Sequence, residues 1–425
     1  MKNKKIAAVI ASLGLAAMAY TAVPVNAGAV ENYTPISGGT YTFEKYLVME
    51  NDATVPNVSF SFSVAPAEAS GDVKAGPAGI KFKEVTGSDV TVGTEDNKTA
   101  TVSFSSSDDA KAKTEQDNTE SKTISFATSE NTEDEKYVFK TLTLDLSGVS
   151  FSEPGIYRYI ITETNAANVA GIFADQNPQR NLDIYVQNNA ESGLSVQGFV
   201  LYYGTNTKST GFTNLYGTNN LQIAKTVTGN QGSKDKHFKI EVKLTNNDKL
   251  EINDADTFQL TGNYEKTPDH QGDTIYSAED MAANDITSIT YGQLKSGYSF
   301  YLCSGHNIEL KGIPSGLGYE ITEYQEKYTP SVTVSGDDKT GDKASDGTAI
   351  EGTAAAGETS DGNTYKISDT YLKNDTSIKF SNDKAGILPT GVLMTVAGSA
   401  AIVALGIAGV TAGTVYLKKK KSDEE

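Results

Sequence analysis

Between its two ends the chain carries apolar residues in short alternating runs. Tyr41 to Val48, Val58 to Val64, Tyr157 to Glu163, Leu182 to Val186, Leu194 to Tyr202, Phe238 to Leu244, Tyr319 to Glu323 and Ile378 to Phe380 follow this pattern. They are rich in Thr, Val, Ile, Tyr and Phe, and Gly, Asn and Asp separate them. A period of two is that of half-buried strands, and no stretch between the ends keeps a helical spacing. Many short strands with turn signals predict an all-β chain of sandwich type. Two polar stretches without period, Ser105 to Lys122 and Gly336 to Asn363, are expected to be mobile surface loops.

The ends differ. Lys2, Lys4 and Lys5 precede the apolar run Ile6 to Tyr20, and Val25-Asn26-Ala27 offers a small-residue cleavage site. This pattern predicts a secretory signal peptide over 1–27. From Val392 to Leu417 no residue is charged, and Lys418 to Lys421 follow at once. The run exceeds the roughly 20 residues that cross a bilayer as a helix, so 392–417 is expected to span a membrane and 418–425 to stay in the cytoplasm. Ile387-Leu388-Pro389-Thr390-Gly391 stands just before it. Pro-Thr-Gly ahead of an apolar span and a lysine tail resembles the sorting signal cut by sortases of Gram-positive bacteria. The resemblance implies cleavage between Thr390 and Gly391, a thioester on Thr390, and its transfer to an amine. The usual signal reads Leu-Pro-x-Thr-Gly; here Pro389 touches Thr390 directly, a departure shared with one group of pilins.

Composition narrows the function. A net charge of −18 argues against nucleic acid as a partner. Cys303 is the only cysteine, so no disulfide can form within one chain, and it is expected to be a buried core residue. His237, His270 and His306 lie apart in sequence and read as separate solvated or core histidines, with no metal-ligand spacing. No calcium-loop pattern appears in 336–363, so neither metal nor cofactor is expected. The lack of tryptophan weakens a carbohydrate-binding reading.

A repeat divides the mature chain. Phe43-Glu44-Lys45, Phe60-Ser61-Phe62, Ile161-Thr162-Glu163 and Phe212-Thr213-Asn214 recur in order as Ile223-Ala224-Lys225, Phe238-Lys239-Ile240, Ile321-Thr322-Glu323 and Phe380-Ser381-Asn382. Two domains follow, 28–217 and 218–386, meeting near Tyr216 to Asn220.

Strand alternation turns the repeat into chemistry. Side chains two apart share a face. Lys45 is in phase with Phe43 and Leu47, Glu163 with Tyr159 and Ile161, and Asn214 with Phe212. Lys225, Glu323 and Asn382 repeat the pattern. Each domain therefore turns one Lys, one Glu and one Asn onto its apolar face. Burial disfavours both charges, moving the amine and the acid toward their neutral forms. A neutral amine can attack an amide carbon while a neutral carboxylic acid shuttles protons to the leaving ammonia. The product is a Lys–Asn isopeptide bond. The alternative is a buried ion pair with Asn as a hydrogen-bond partner, which by itself gives no reason for the Asn.

On these motifs the chain resembles the two-domain backbone pilins of Gram-positive bacteria. The resemblance implies immunoglobulin-like domains, each with one intramolecular isopeptide bond: Lys45 to Asn214 with Glu163 as the promoting acid, and Lys225 to Asn382 with Glu323. It implies Lys208, shortly before Phe212-Thr213-Asn214, as the acceptor of the next subunit's Thr390. It further implies a structural role in a sortase-assembled pilus on the cell wall, with no enzymatic turnover beyond the single bond-forming event. Sortase, neighbouring subunits, minor pilins and peptidoglycan are the partners expected, with room for a host surface receptor. The competing reading is a singly displayed, wall-anchored adhesin that uses the same domains as a stalk.

Overall fold

The computed structural model describes residues 36–386, except 86, 88, 95, 114–133, 165–167, 176, 190–192, 265–283, 337–348 and 351–362. The segments 1–27, 387–391 with Thr390 and Gly391, 392–417 and 418–425 lie outside the described residues. Among the described residues no helix is long and apolar enough to cross a membrane.

The chain builds two β-sandwiches in succession, as the alternating runs predict. Each predicted run lies inside an observed strand. In the first sandwich, one sheet runs in the order Thr207–Ser209, Gly193–Tyr203, Gln179–Asn189, Gly155–Thr164, Val58–Pro66, Thr99–Phe104, Val90–Val92. The facing sheet runs Ile172–Phe173, Gly211–Tyr216, Thr40–Glu50, Glu135–Asp145, Lys81–Phe82. In the second sandwich, one sheet runs Ser288–Thr290, Thr257–Asn263, Asn307–Pro314, Thr218–Thr228, Thr376–Asp383, Thr329–Ser335, Ala349–Ile350. Its partner runs Tyr298–Leu302, Phe238–Thr245, Gly318–Glu326, Asn363–Asp369. Aromatic side chains fill the first core: Phe43 meets Phe62 and Phe212 edge-on, with centroids 5.8 Å apart in both pairs, a favoured geometry for paired rings.

Three features depart from the sequence pattern. The strand Thr40–Glu50 is buried on both faces from Phe43 to Met49, because Tyr46 and Val48 pack with Tyr137 on the side away from the main core. The two expected loops each contain a short strand. Lys111–Ala112 pairs with the strand Glu135–Asp145, and Ala349–Ile350 with Thr329–Ser335. Two-residue bridges are held by backbone bonds at a sheet edge and need no side-chain period. A helix, Tyr291–Ser296, interrupts the β pattern. Thr290 and Gln293 close a capping box at its start, while Tyr291 and Leu294 face the core. Six residues are too few to show a helical period.

The junction is tight. The strand Gly211–Tyr216 passes through Gly217 directly into Thr218–Thr228. Backbone bonds cross it, from Ala170 N to Glu251 O (2.9 Å), Glu251 N to Asn168 O (2.7 Å) and Gly171 N to Ser315 O (2.9 Å). Asn57 N donates to Asp256 Oδ1 at 3.0 Å, and Asn220 Nδ2 to Asp52 Oδ2 at 3.1 Å. Ala170 even joins the core of the second sandwich. Gly312 sits here at φ 79°, and a Cβ on it would meet Ala53 Cα at 3.2 Å, so the close approach of the two segments favours glycine.

Candidate functional site

Each sandwich buries one Lys–Glu–Asn trio, and the two are built alike. Lys45 lies in the strand Thr40–Glu50, whose parallel neighbour Gly211–Tyr216 carries Asn214. Lys45 pairs with Phe212, and Asn214 with Leu47. In the second domain Lys225 pairs with Phe380, and Asn382 with Val227, again between parallel strands. The offset is the same: the Asn stands two residues beyond the partner of the Lys, so both project from one face. The acids come from the facing sheets. Glu163 pairs with Phe62, and Glu323 with Ile240. A third shared element was not foreseen. Two residues before each of these partners an aromatic ring lies under the amine, Phe60 at 4.0 Å from Lys45 Nζ and Phe238 at 4.3 Å from Lys225 Nζ.

Burial is nearly complete. Lys45 is 0% exposed, Lys225 1%, Asn214 1%, and Glu323 and Asn382 0%. Lys45 Nζ lies 2.7 Å from Glu163 Oε2 and makes a short contact with Asn214 Oδ1. Lys225 Nζ lies 2.6 Å from Glu323 Oε1, which also accepts from Asn382 Nδ2 at 3.3 Å. Burial pushes both amines down to about 8, against the opposing pull of Glu163 and Glu323. It pushes both carboxyls up, against the pull of the lysines. Transfer of one proton within each pair leaves a neutral amine beside a neutral acid, the form an apolar site favours over two ions.

The polar atoms left over are informative. Among the described residues, Asn214 Nδ2, Asn382 Oδ1 and Glu323 Oε2 find no hydrogen-bond partner although buried, an uncommon state for such groups. Attack of Nζ on the Asn Cγ makes one C–N bond, breaks the Cγ–Nδ2 bond and releases ammonia. The acid accepts the amine's proton and delivers one to the departing nitrogen. Loss of Nδ2 removes an orphan donor, and the protonated acid can donate to the remaining amide oxygen.

The first site has a charged neighbour that the sequence reading missed. Arg180 is buried between the rings of Tyr203 and Phe212, 4.6 Å from each centroid. It donates to Gly211 O at 3.0 Å and pairs with Asp175. Its cation opposes protonation of Lys45, and Asp175 favours it. The second domain contains no arginine. A lone Arg in a strand otherwise spaced as core was the available signal. Lys208 lies apart from both trios, exposed on the edge strand Thr207–Ser209 and paired with Tyr202.

The histidine reading needs correction. His237, Cys303 and His306 are not scattered: their ligand atoms lie within 4.8 Å of one another. His237 is fully buried, Cys303 is buried as expected, and His306 is half-buried. Separation in sequence misled because strand pairing closes the distance. The Cys303-Ser304-Gly305-His306 spacing was the signal. His270 lies outside the described residues.

Each of the tandem sandwiches thus holds a buried Lys–Glu–Asn trio, with the Lys on its first long strand and the Asn on its last. Residues 80–217 match a family described as the Spy0128-like isopeptide containing domain, and residues 219–359 match a domain of unknown function, DUF7601. A pilin of Streptococcus pyogenes serotype M1 is 27% identical over 398 residues, covering 92% of this chain and 94% of that relative. The major pilin of Streptococcus pyogenes aligns in structure with a TM-score of 0.49 at 21% identity, covering 83% of this chain and all of that one. A second major pilin of that species, T-13, aligns with a TM-score of 0.42 at 20% identity over 82% of this chain and 98% of its own. Over most of its length the chain is thus similar to a curated pilin, and its residues 80–217 match the isopeptide-containing domain.

Proposed function

We propose that this chain is the repeating structural subunit of a covalent pilus shaft on the cell surface. In this reading each domain is locked by a self-made bond, Lys45 to Asn214 and Lys225 to Asn382, with Glu163 and Glu323 as the promoting acids. The observation that carries it is the repetition of one register in both domains, Lys opposite Phe and Asn two residues further on. A single buried ion pair is an ordinary accident; the same trio twice, between the same strands, is not.

The arrangement suits tension. Suppose a sortase joins Thr390 of one subunit to Lys208 of the next. Load entering at Thr390 crosses from Asn382 to Lys225, passes Gly217 with no slack linker, and leaves through Asn214 and Lys208. The bulk of the second sandwich is bypassed through its own bond. Minor pilins and peptidoglycan are further attachments on this reading, and the finished polymer belongs to the cell wall.

A denaturing gel of wall extract separates the shaft from a singly displayed adhesin. A shaft subunit gives a ladder of high-mass species that resists boiling. One band at the anchored monomer's mass overturns the shaft reading.

A further inference from the structure

We propose that His237, Cys303 and His306 form a binding site for a zinc-class divalent cation at one end of the second sandwich. The register builds it. The strands Phe238–Thr245 and Tyr298–Leu302 pair antiparallel, with Phe238 opposite Leu302. One step outward along both strands puts His237 across from Cys303. The chain then turns through Ser304 and Gly305, the latter at φ 92°, and His306 N donates back to Cys303 O at 3.1 Å. The imidazole of His306 returns to the thiol, with Nδ1 3.3 Å and Nε2 3.5 Å from Cys303 Sγ.

The spacing of a single His306 ring nitrogen from the thiol suits a shared ion, with the His237 ligand atom within 4.8 Å of both. Zinc bonds of about 2.3 Å to sulfur and about 2.0–2.1 Å to nitrogen, at a tetrahedral angle, separate the two ligand atoms by roughly 3.5 Å. One thiolate with two imidazoles is a donor set for zinc or copper, and not for the oxygen-seeking calcium or magnesium. Binding forms a metal–sulfur bond, and the thiol proton leaves to solvent. The two histidines bind as neutral imidazoles, each through a ring-nitrogen lone pair. Three protein ligands leave a fourth tetrahedral position for water on the side where His306 is half-buried.

The site is coupled to the crosslinking lysine. Lys225 N donates to His306 O at 2.9 Å, and Gly305 N donates to Lys225 O at 2.9 Å. Val227 N donates to Ser304 Oγ at 3.0 Å. His237 directly precedes Phe238, whose ring lies under the Lys225 amine. A bound cation would therefore fix both the backbone and the ring that position Lys225. This inference stands on the cluster alone and does not depend on the shaft reading.

Cobalt(II), titrated into the full chain in detergent with a thiol-free reductant, tests it. The expected result is one cobalt per chain, with a thiolate-to-metal charge-transfer band and the ligand-field bands of a four-coordinate site. Zinc should bleach both. Cys303→Ser should abolish the charge-transfer band, and His306→Gln should weaken cobalt binding, while circular dichroism shows both variants folded. Zinc should also raise the melting temperature of the parent and not that of Cys303→Ser. The proposal is overturned if the parent shows no charge-transfer band with stoichiometric cobalt, or if the band survives in Cys303→Ser.

Discussion

Replacing Asn214 by Ala removes the electrophile from the first trio and leaves the Lys45–Glu163 pair, 2.7 Å apart, in place. The bond it prevents would join residues 169 positions apart in the chain. In the chain-entropy treatment of crosslinks, closing a loop of that length constrains the unfolded state by about 5 kcal/mol. For a domain of this size each kcal/mol moves the midpoint by roughly 2–4 °C. The first-domain transition should therefore fall by about 10–20 °C in Asn214→Ala. Calorimetry of parent and variant, with intact mass to show that only the parent has lost ammonia in that domain, measures it. A bonded parent and an unbonded variant melting within about 3 °C of each other would refute the reasoning, since a loop closure on this scale cannot be that cheap.

Other expectations follow from the same geometry. Glu163→Ala and Glu323→Ala should each leave the mass of one ammonia in the chain, in the affected domain only; a bonded domain in either variant means a different acid acts. In unbonded Asn214→Ala, burial holds Glu163 above its unfolded value and Lys45 below its own, at about 8. The folded state then binds more protons than the unfolded just above the ordinary carboxylate range, and fewer from about 8 upward. Stability should fall as pH rises past the carboxylate range and recover as it rises beyond about 8; denaturant midpoints across pH that show no dip contradict the buried pair. Lys208→Arg should abolish the high-mass ladder in wall extracts while leaving both intramolecular bonds; a ladder that persists moves the acceptor to another lysine.

The trios were legible in the sequence because each member announces itself locally. Lys45, Glu163 and Asn214 fall in phase with apolar residues of their own strands, and the second domain repeats the order. What lay beyond reach depends on contacts between strands distant in sequence. No local pattern says that His237 and Cys303 face each other; that follows from the pairing of Phe238 with Leu302. The double burial of the strand Thr40–Glu50 arises because Tyr137 covers its outer face, which alternation within one strand cannot encode. Arg180 reaches Asp175 and Gly211 from a strand whose spacing predicts only core. The helix Tyr291–Ser296 is shorter than the window needed to see its period, although its Thr290–Gln293 capping box was readable.

The most direct test of the central claim is peptide mapping by mass spectrometry after digestion of the full chain. The account predicts two branched peptides, one joining the segments that carry Lys45 and Asn214 and one joining those that carry Lys225 and Asn382, each lighter by one ammonia than the sum of its parts. Recovery of these segments as linear peptides at their unmodified masses would contradict it.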